Sequence, residues 1–415
     1  MANITAGLHR CGIFPFRLHA HILSRQHNRF CALHEGRNDN ANHAGAAAVT
    51  HLPLDPGLPL AGRIREAENA VLVPPAGPER PQPCGAFAMA QPLTESLCFG
   101  GSATVPVNVF PSLAEPQQHL TETWLFGGIL SGHFGHMLCE GPGRLWALAG
   151  RTDIEGILFF ARPFDKANRC RRMFAHLAAL LDLPPVQMVT VPTQVERLIL
   201  AEQGLGSGEL LNGRPEARAF LRDGLARTAP EGKGRRFYIS RSGQPARRGR
   251  ILGEDSMEQQ FATAGYEVIR PEEFPLAQQV AMFRAATHVC GTEGSPFHLL
   301  AMAGQTGCKV AVIQRRRSPT FAQICQHLDI FLGTETLQLD AVHSIHAPRK
   351  TGNANLVYLE PARETISAQL AEAGFLPPGT QWPEMSDDER NADLLRLQEA
   401  INQPLLRDDS GTSPA

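Results

Sequence analysis

The run T-H-V-C-G-T-E-G-S-P-F-H-L-L-A-M at residues 287–302 decides how this chain folds. Thr287–Cys290 is a short β-rich run, Gly291 and Gly294 permit a tight turn, Ser295 is an N-cap residue type and Pro296 suits a first helical position. The spacing predicts a helix that starts immediately past the carboxyl end of a strand. Outward from it, β runs at Phe237–Ser240, Tyr266–Ile269 and Lys309–Ile313 alternate with helical patterns near 256–264, 275–286 and 296–303. Ser256 with Gln259 reads as a capping box and Gly265 as a stop; Leu276, Val280 and Phe283 form an apolar stripe that leaves Gln278 and Gln279 outside it. Strands alternating with helices of this length imply βαβ units and a doubly wound parallel sheet.

The same alternation recurs earlier. Strands are expected at 70–74, 123–128, 156–161 and 186–191, a long helix over 134–148, and a second helix between the last two strands. Between Leu205 and Gly234 the apolar period weakens and a linker-like A-P-E-G-K-G-R precedes the next strand. The chain is therefore read as α/β with two Rossmann-like, doubly wound domains facing a cleft. Residues 61–230 form the first domain, 231–350 the second, and 351–415 closing helices and a polar tail. Residues 1–60 are read as a disordered leader or an over-extended translation start. The first 51 residues hold seven of the sixteen histidines and five arginines against only Glu35 and Asp39, with no helical or strand period.

At 415 residues the chain exceeds what one core usually supports, and 43% apolar residues with a net charge of −2 describe an ordinary soluble protein. No apolar run is long enough to span a bilayer, and no export signal is visible, so any association with a membrane would be peripheral. The nine cysteines form no C-x-x-C pair, which favours free thiols in a reducing, cytoplasmic setting.

Carboxyl ends of parallel strands are where open α/β sheets bind ligands, and a helix start there is a natural diphosphate site. Glu293 in that turn is placed to accept from ribose or sugar hydroxyls. Arg241 follows another strand end, with Arg247, Arg248 and Arg250 close behind. Guanidinium forks match phosphate oxygens, and a leaving diphosphate needs its charge neutralised when no metal does so. The chain has no D-x-D triplet, so no metal clamp and no cofactor are expected. In the first half, His136 and Glu140 are four apart at a helix start, so a carboxylate can hold an imidazole that acts as a general base. His133 could share that role. The set His133, His136, Glu140 lacks the H-E-x-x-H order of a zinc helix.

Taken together, residues 120–335 resemble glycosyltransferase family 61. The resemblance rests on His136, Glu140 and R-L-W at 144–146; on Ser240, Arg241, Arg248, Glu254 and Glu258; on Gly265, Tyr266, Val268, Pro271, Glu272 and Gln279; and on Gly291, Gly294, Ser295 and His298. Two positions depart from the family pattern: Glu293-Gly294-Ser295 replaces His-Gly-Ala, and Gly253 replaces an Asn. The resemblance implies a GT-B type inverting enzyme, in bacteria often encoded with polysaccharide synthesis. It implies a nucleotide-sugar donor, UDP-linked by analogy, and a glycan acceptor. His136 and Glu140 are then the catalytic pair. Arg241, Arg248, Glu254, Glu293, Gly294, Ser295 and His298 would hold the donor, with His133 and Gln279 as further candidates.

Two other classes fit parts of the sequence. A non-catalytic scaffold could keep the fold and bind nucleotide without turnover. A nucleic-acid-binding protein would use residues 241–250 and the triplet Arg315-Arg316-Arg317, but near-neutral charge, three tyrosines and the absence of a binding motif argue against it.

Overall fold

The computed structural model describes residues 60, 63–349 and 356–408, so the leader, except Leu60, and the tail beyond Asp408 lie outside the described residues. In the first half the elements run β1 (Ile64–Val73), β2 (Gln82–Pro83), β3 (Gly85–Ala88), β4 (Gln91–Leu93), β5 (Asn108–Val109), β6 (Gln118–Leu130), α1 (Phe134–Glu140), β7 (Gly156–Ala161), α2 (Ala167–Leu180), β8 (Val186–Met188), β9 (Thr193–Ala201) and α3 (Pro215–Ala226). The second half contributes β10 (Arg235–Ile239), α4 (Glu254–Thr263), β11 (Glu267–Ile269), α5 (Leu276–Ala285), β12 (Ala286–Thr292), α6 (Pro296–Ala303), β13 (Lys309–Ile313), α7 (Pro319–Leu332) and β14 (Leu337–Leu339). The chain closes with β15 (Val342–Pro348), β16 (Tyr358–Pro361), α8 (Arg363–Glu372), α9 (Asp387–Ile401) and β17 (Leu405–Arg407).

The second-half sheet is the doubly wound one expected. Its five strands are all parallel in the order β11-β10-β12-β13-β14. Alternate residues feed opposite faces, as the pleat requires. Phe237, Ile239, Val289, Val310 and Val312 pack on one side with Val280 and Phe283 of α5 and Phe297 of α6. Tyr238, Cys290 and Ala311 pack on the other with Met257 and Phe261 of α4 and Ile366 of α8. The strand order reverses between β10 and β12, and a crevice opens at that switch point beyond the carboxyl ends of the strands.

The first-half sheet departs from the expectation. Its order is β4-β3-β1-β9-β6-β7-β8, parallel only from β9 to β8, with β1, β3 and β4 antiparallel along one edge. Among the described residues, helices cover one face alone. The other face, carrying Phe126, Leu158, Phe160 and Leu198, packs with strand and loop residues such as Leu72, Cys84 and Cys98, and no helix contributes to that cluster. The sheet is thus wound on one side. The long helix expected over 134–148 ends at Glu140, because Gly141 and Pro142 follow, and a short 3₁₀ turn at Leu145–Leu148 replaces its second half. Ser256 lies inside α4 and not at its cap, which is Gly253, so no capping box forms there.

The weakly patterned stretch 205–234 contains α3, which joins the halves: Arg222 donates to the carbonyls of Phe331 at 2.8 Å and Gly304 at 3.3 Å. One apolar cluster runs from Leu125 and Phe174 through Leu225 to Phe297 and Leu328, and α1 and α3 pack on α6. All described residues fall in one compact unit spanning 51–415. Both sets of parallel strands turn their carboxyl ends toward the same cleft.

Candidate active site

Residues that follow parallel strands of both sheets line a cavity of about 730 Å³, among them His133, His136, Ser207, Arg241, Arg248 and Arg315. His133 and His136 follow β6 and Ser207 follows β9. Arg241 follows β10, Gly294 and Ser295 follow β12, and Arg315 follows β13. The halves meet tightly here. A Cβ at Gly135 would stand 2.7 Å from Ser295 Oγ, so only glycine lets the start of α1 approach the start of α6 this closely.

His136 Nδ1 lies 2.8 Å from Glu140 Oε1, one helical turn along α1. Glu140 also accepts from Ser207 Oγ at 2.6 Å and from Arg162, which follows β7. Burial alone would raise the Glu140 carboxyl, but the His136 hydrogen bond and the Arg162 charge outweigh it and hold it below its usual range. A carboxylate kept ionised in this way favours the imidazole tautomer with Nδ1–H toward Glu140, which leaves the Nε2 lone pair free. The His133 ring stands 5.2 Å from that of His136, and partial burial, then the charges of His136 and Arg248, lower its pKa.

On the opposite wall, Arg241 packs against Gly294 so closely that a Cβ there would sit 2.6 Å from Nη1. Its Nε donates to Gly249 O at 3.2 Å and its backbone N–H to Glu254 Oε1 at 2.8 Å. Arg315 is 3% exposed, and its Nη1 is buried without a hydrogen-bond partner. Burial, and then the like charge of Arg241, push the Arg315 pKa down to about 9. Arg316 pairs with Glu293 at 3.0 Å. Three guanidinium groups crowd this wall, and Arg315 lacks a full set of partners. An anion would complete them.

Residues 134–311 match the family model for glycosyltransferase 61. The matched segment runs from the start of α1 to the middle of β13, and so includes His136, Glu140, Arg241, Arg248 and Ser295. No curated protein matches the chain. The glycosyltransferase 61 match supports glycosyltransferase activity, with a sugar donor and an acceptor as its substrates.

Within the glycosyltransferase 61 segment, the acidic candidates support the arginines from beneath. Glu293 is fully buried; its carboxylate accepts from Arg316 and from the backbone N–H of Arg315 at 3.3 Å. Glu254 accepts from Arg241 N–H and from Thr292 Oγ1, tying the ends of β10 and β12 together at the switch point. Gln279 donates to Pro271 O at 2.7 Å and Phe274 O at 2.9 Å, stapling the loop after β11. His298 pairs with His327 of α7 through their Nδ1 atoms at 2.9 Å. The amides of Phe297 and His298 are turned back to Gly294 O and Ser295 O, so they contribute to the turn at the start of α6. Arg250 is held by Asp393 at 2.8 Å and Arg247 reaches Ile401 O, whereas exposed Arg248 lines the cavity. Arg144 of the R-L-W run is 2% exposed and donates to Leu97 O and Ala201 O, a structural staple away from the cavity.

Sequence reasoning did not place Arg315 and Arg316 at the site; that triplet entered only as a feature of the disfavoured nucleic-acid-binding reading. The signal was positional: they directly follow β13, beside the switch point.

Burial raises the Glu254 carboxyl from its ordinary 4.5 to about 7, and its Oε2 has no partner. The folded state therefore holds this proton more tightly than the unfolded chain, and stability falls as pH rises between those values, by about 3 kcal/mol in all. Glu254→Gln keeps the Oε1 acceptor and removes the charge. Urea unfolding of both proteins at pH 5 and pH 8 should show the variant's stability relative to the parent rising with pH; an equal difference at both values would refute the assignment.

Proposed function

We propose that this chain is an inverting glycosyltransferase of GT-B type. It moves a sugar from a nucleotide sugar, UDP-linked in our reading, to a hydroxyl of a growing glycan, with no metal at the diphosphate. Residues 61–230 form the acceptor side and 231–350 the donor side, and the protein acts in the cytoplasm or at a membrane's cytoplasmic face. One observation carries this reading: a carboxylate-held imidazole and an arginine wall in which Arg315 Nη1 lacks a partner line one cavity, each at the carboxyl ends of parallel strands.

The acceptor oxygen attacks the anomeric carbon as the bond from that carbon to the diphosphate oxygen breaks. His136 Nε2 takes the acceptor proton and Glu140 stabilises the imidazolium that forms. The diphosphate leaves with the bonding electron pair, and Arg241, Arg248 and Arg315 neutralise its charge, with the α6 dipole behind Gly294 and Ser295. Glu254 and Glu293 position those arginines, and His298 and Gln279 shape the donor wall. A single displacement needs one base and inverts the anomeric centre.

A panel of UDP-sugars incubated with the protein in EDTA tests this. One donor should release UDP, and NMR should show the first-formed sugar product with the opposite anomeric configuration. Release from none of them, or a retained configuration, would overturn the reading and favour a nucleotide-binding scaffold.

A further inference from the structure

Behind the cavity, three helices bring together Cys139 of α1, His298 of α6 and His327 of α7. Their ligand atoms lie within 4.8 Å of one another, the one such group of three among the described residues. The two Nδ1 atoms are 2.9 Å apart and the ring centroids 5.1 Å, so the rings meet nearly head-on and one Nδ1–H donates to the other Nδ1. His327 is fully buried, its ring meets Phe331 edge-on at 4.5 Å, and its Nε2 has no hydrogen-bond partner. Packing alone does not account for an imidazole there, since a leucine would fill the site without an unpaired nitrogen. Cys139 is 2% exposed, and it lines the cavity together with His298.

We propose that Cys139, His298 and His327 form a zinc site. One thiolate and two imidazoles are a donor set that suits Zn²⁺, and a tetrahedral ion keeps a fourth position. Tetrahedral zinc places two nitrogens about 3.3 Å apart and sulfur about 3.6 Å from each. The imidazoles then part by a few tenths of an ångström and tilt so that both Nδ1 atoms face the ion, and Cys139 Sγ swings inward about χ1. On binding, the thiol proton goes to solvent and the Nδ1 proton moves to Nε2 of its own ring, so both histidines ligate as neutral groups. Because Cys139 and His298 face the cavity, the fourth position is open to solvent or a small ligand. The site does not depend on the transferase reading, and the arginine wall needs no ion from it.

Co²⁺ added to the metal-free full-length chain tests the proposal. A sulfur-to-cobalt charge-transfer band in the near ultraviolet should saturate at one equivalent, accompanied by intense tetrahedral visible bands, and Zn²⁺ should bleach both. The band should vanish in Cys139→Ser and survive in the double variant Cys11→Ser/Cys31→Ser. His327→Leu should fold at least as stably as the parent without metal, and its zinc affinity should fall by at least the ~10-fold that even an outer-shell partner costs. No charge-transfer band in the parent, a band that persists in Cys139→Ser, or unchanged zinc affinity in His327→Leu would overturn it.

Discussion

His136→Ala is expected to lower the rate of sugar transfer by roughly 10²- to 10⁴-fold, the usual worth of a positioned general base, while UDP binding and thermal stability stay at the parent's level. The expectation of intact folding comes from exposure: the His136 side chain is 42% accessible, and its hydrogen bonds go to Glu140 and Ser207 at the cleft wall. The expectation of intact UDP binding comes from position, since His136 belongs to α1 of the first half and the arginine wall to the second. Glu140→Gln should fall between parent and His136→Ala. The amide can still hold the ring but no longer balances the imidazolium, and it leaves Arg162 without its carboxylate. If His136→Ala retained more than about a tenth of the parent rate, below the least that general acid–base catalysis contributes, another group would have to be the base.

Arg315→Met is expected to weaken UDP binding by roughly 10- to 100-fold, the cost of one charge-assisted hydrogen bond lost to a phosphate. Without ligand, however, the variant should be as stable as the parent or more so. The two effects have one cause. The Arg315 guanidinium is buried against the like charge of Arg241 with Nη1 unpaired, which disfavours the free protein and is relieved when an anion arrives. Methionine fills similar space without the charge. Destabilisation of the free variant with unchanged UDP affinity would instead make Arg315 a structural residue held by Glu293.

The second half was the more legible part of the sequence. The run Lys309–Ile313 is apolar enough to be buried on both faces, and its predicted bounds coincide with β13; the same holds for β7 at Gly156–Ala161. β9 escaped the reading although it is central to the first sheet. In T-Q-V-E-R-L-I-L-A the apolar positions Val195, Leu198 and Ile199 also suit a helix, and pairing with β1 on one side and β6 on the other settles the matter. Of the antiparallel edge, the strand expected at 70–74 caught only the end of β1, and β3 and β4, with four and three residues, are too short to carry a readable period.

At the candidate site, His136 with Glu140 could be read because both sit on one helix turn. Arg241 and Ser295 could be read because each follows a strand. Three features could not. Glu293 pairs with arginines 22 and 23 positions later, Arg315 gains its meaning from the charge of Arg241, and Cys139, His298 and His327 share no sequence spacing. Only the meeting of the two sheets' carboxyl ends makes these groups neighbours.

The central claim, a base from one half facing a metal-independent diphosphate clamp from the other, is tested most directly by calorimetric titration of UDP in EDTA. The account predicts one UDP bound per chain, the same affinity in His136→Ala, and a weakened affinity in Arg315→Met. No heat from the parent with UDP or any other nucleoside diphosphate, or binding that appears only when a divalent metal is restored, would contradict it.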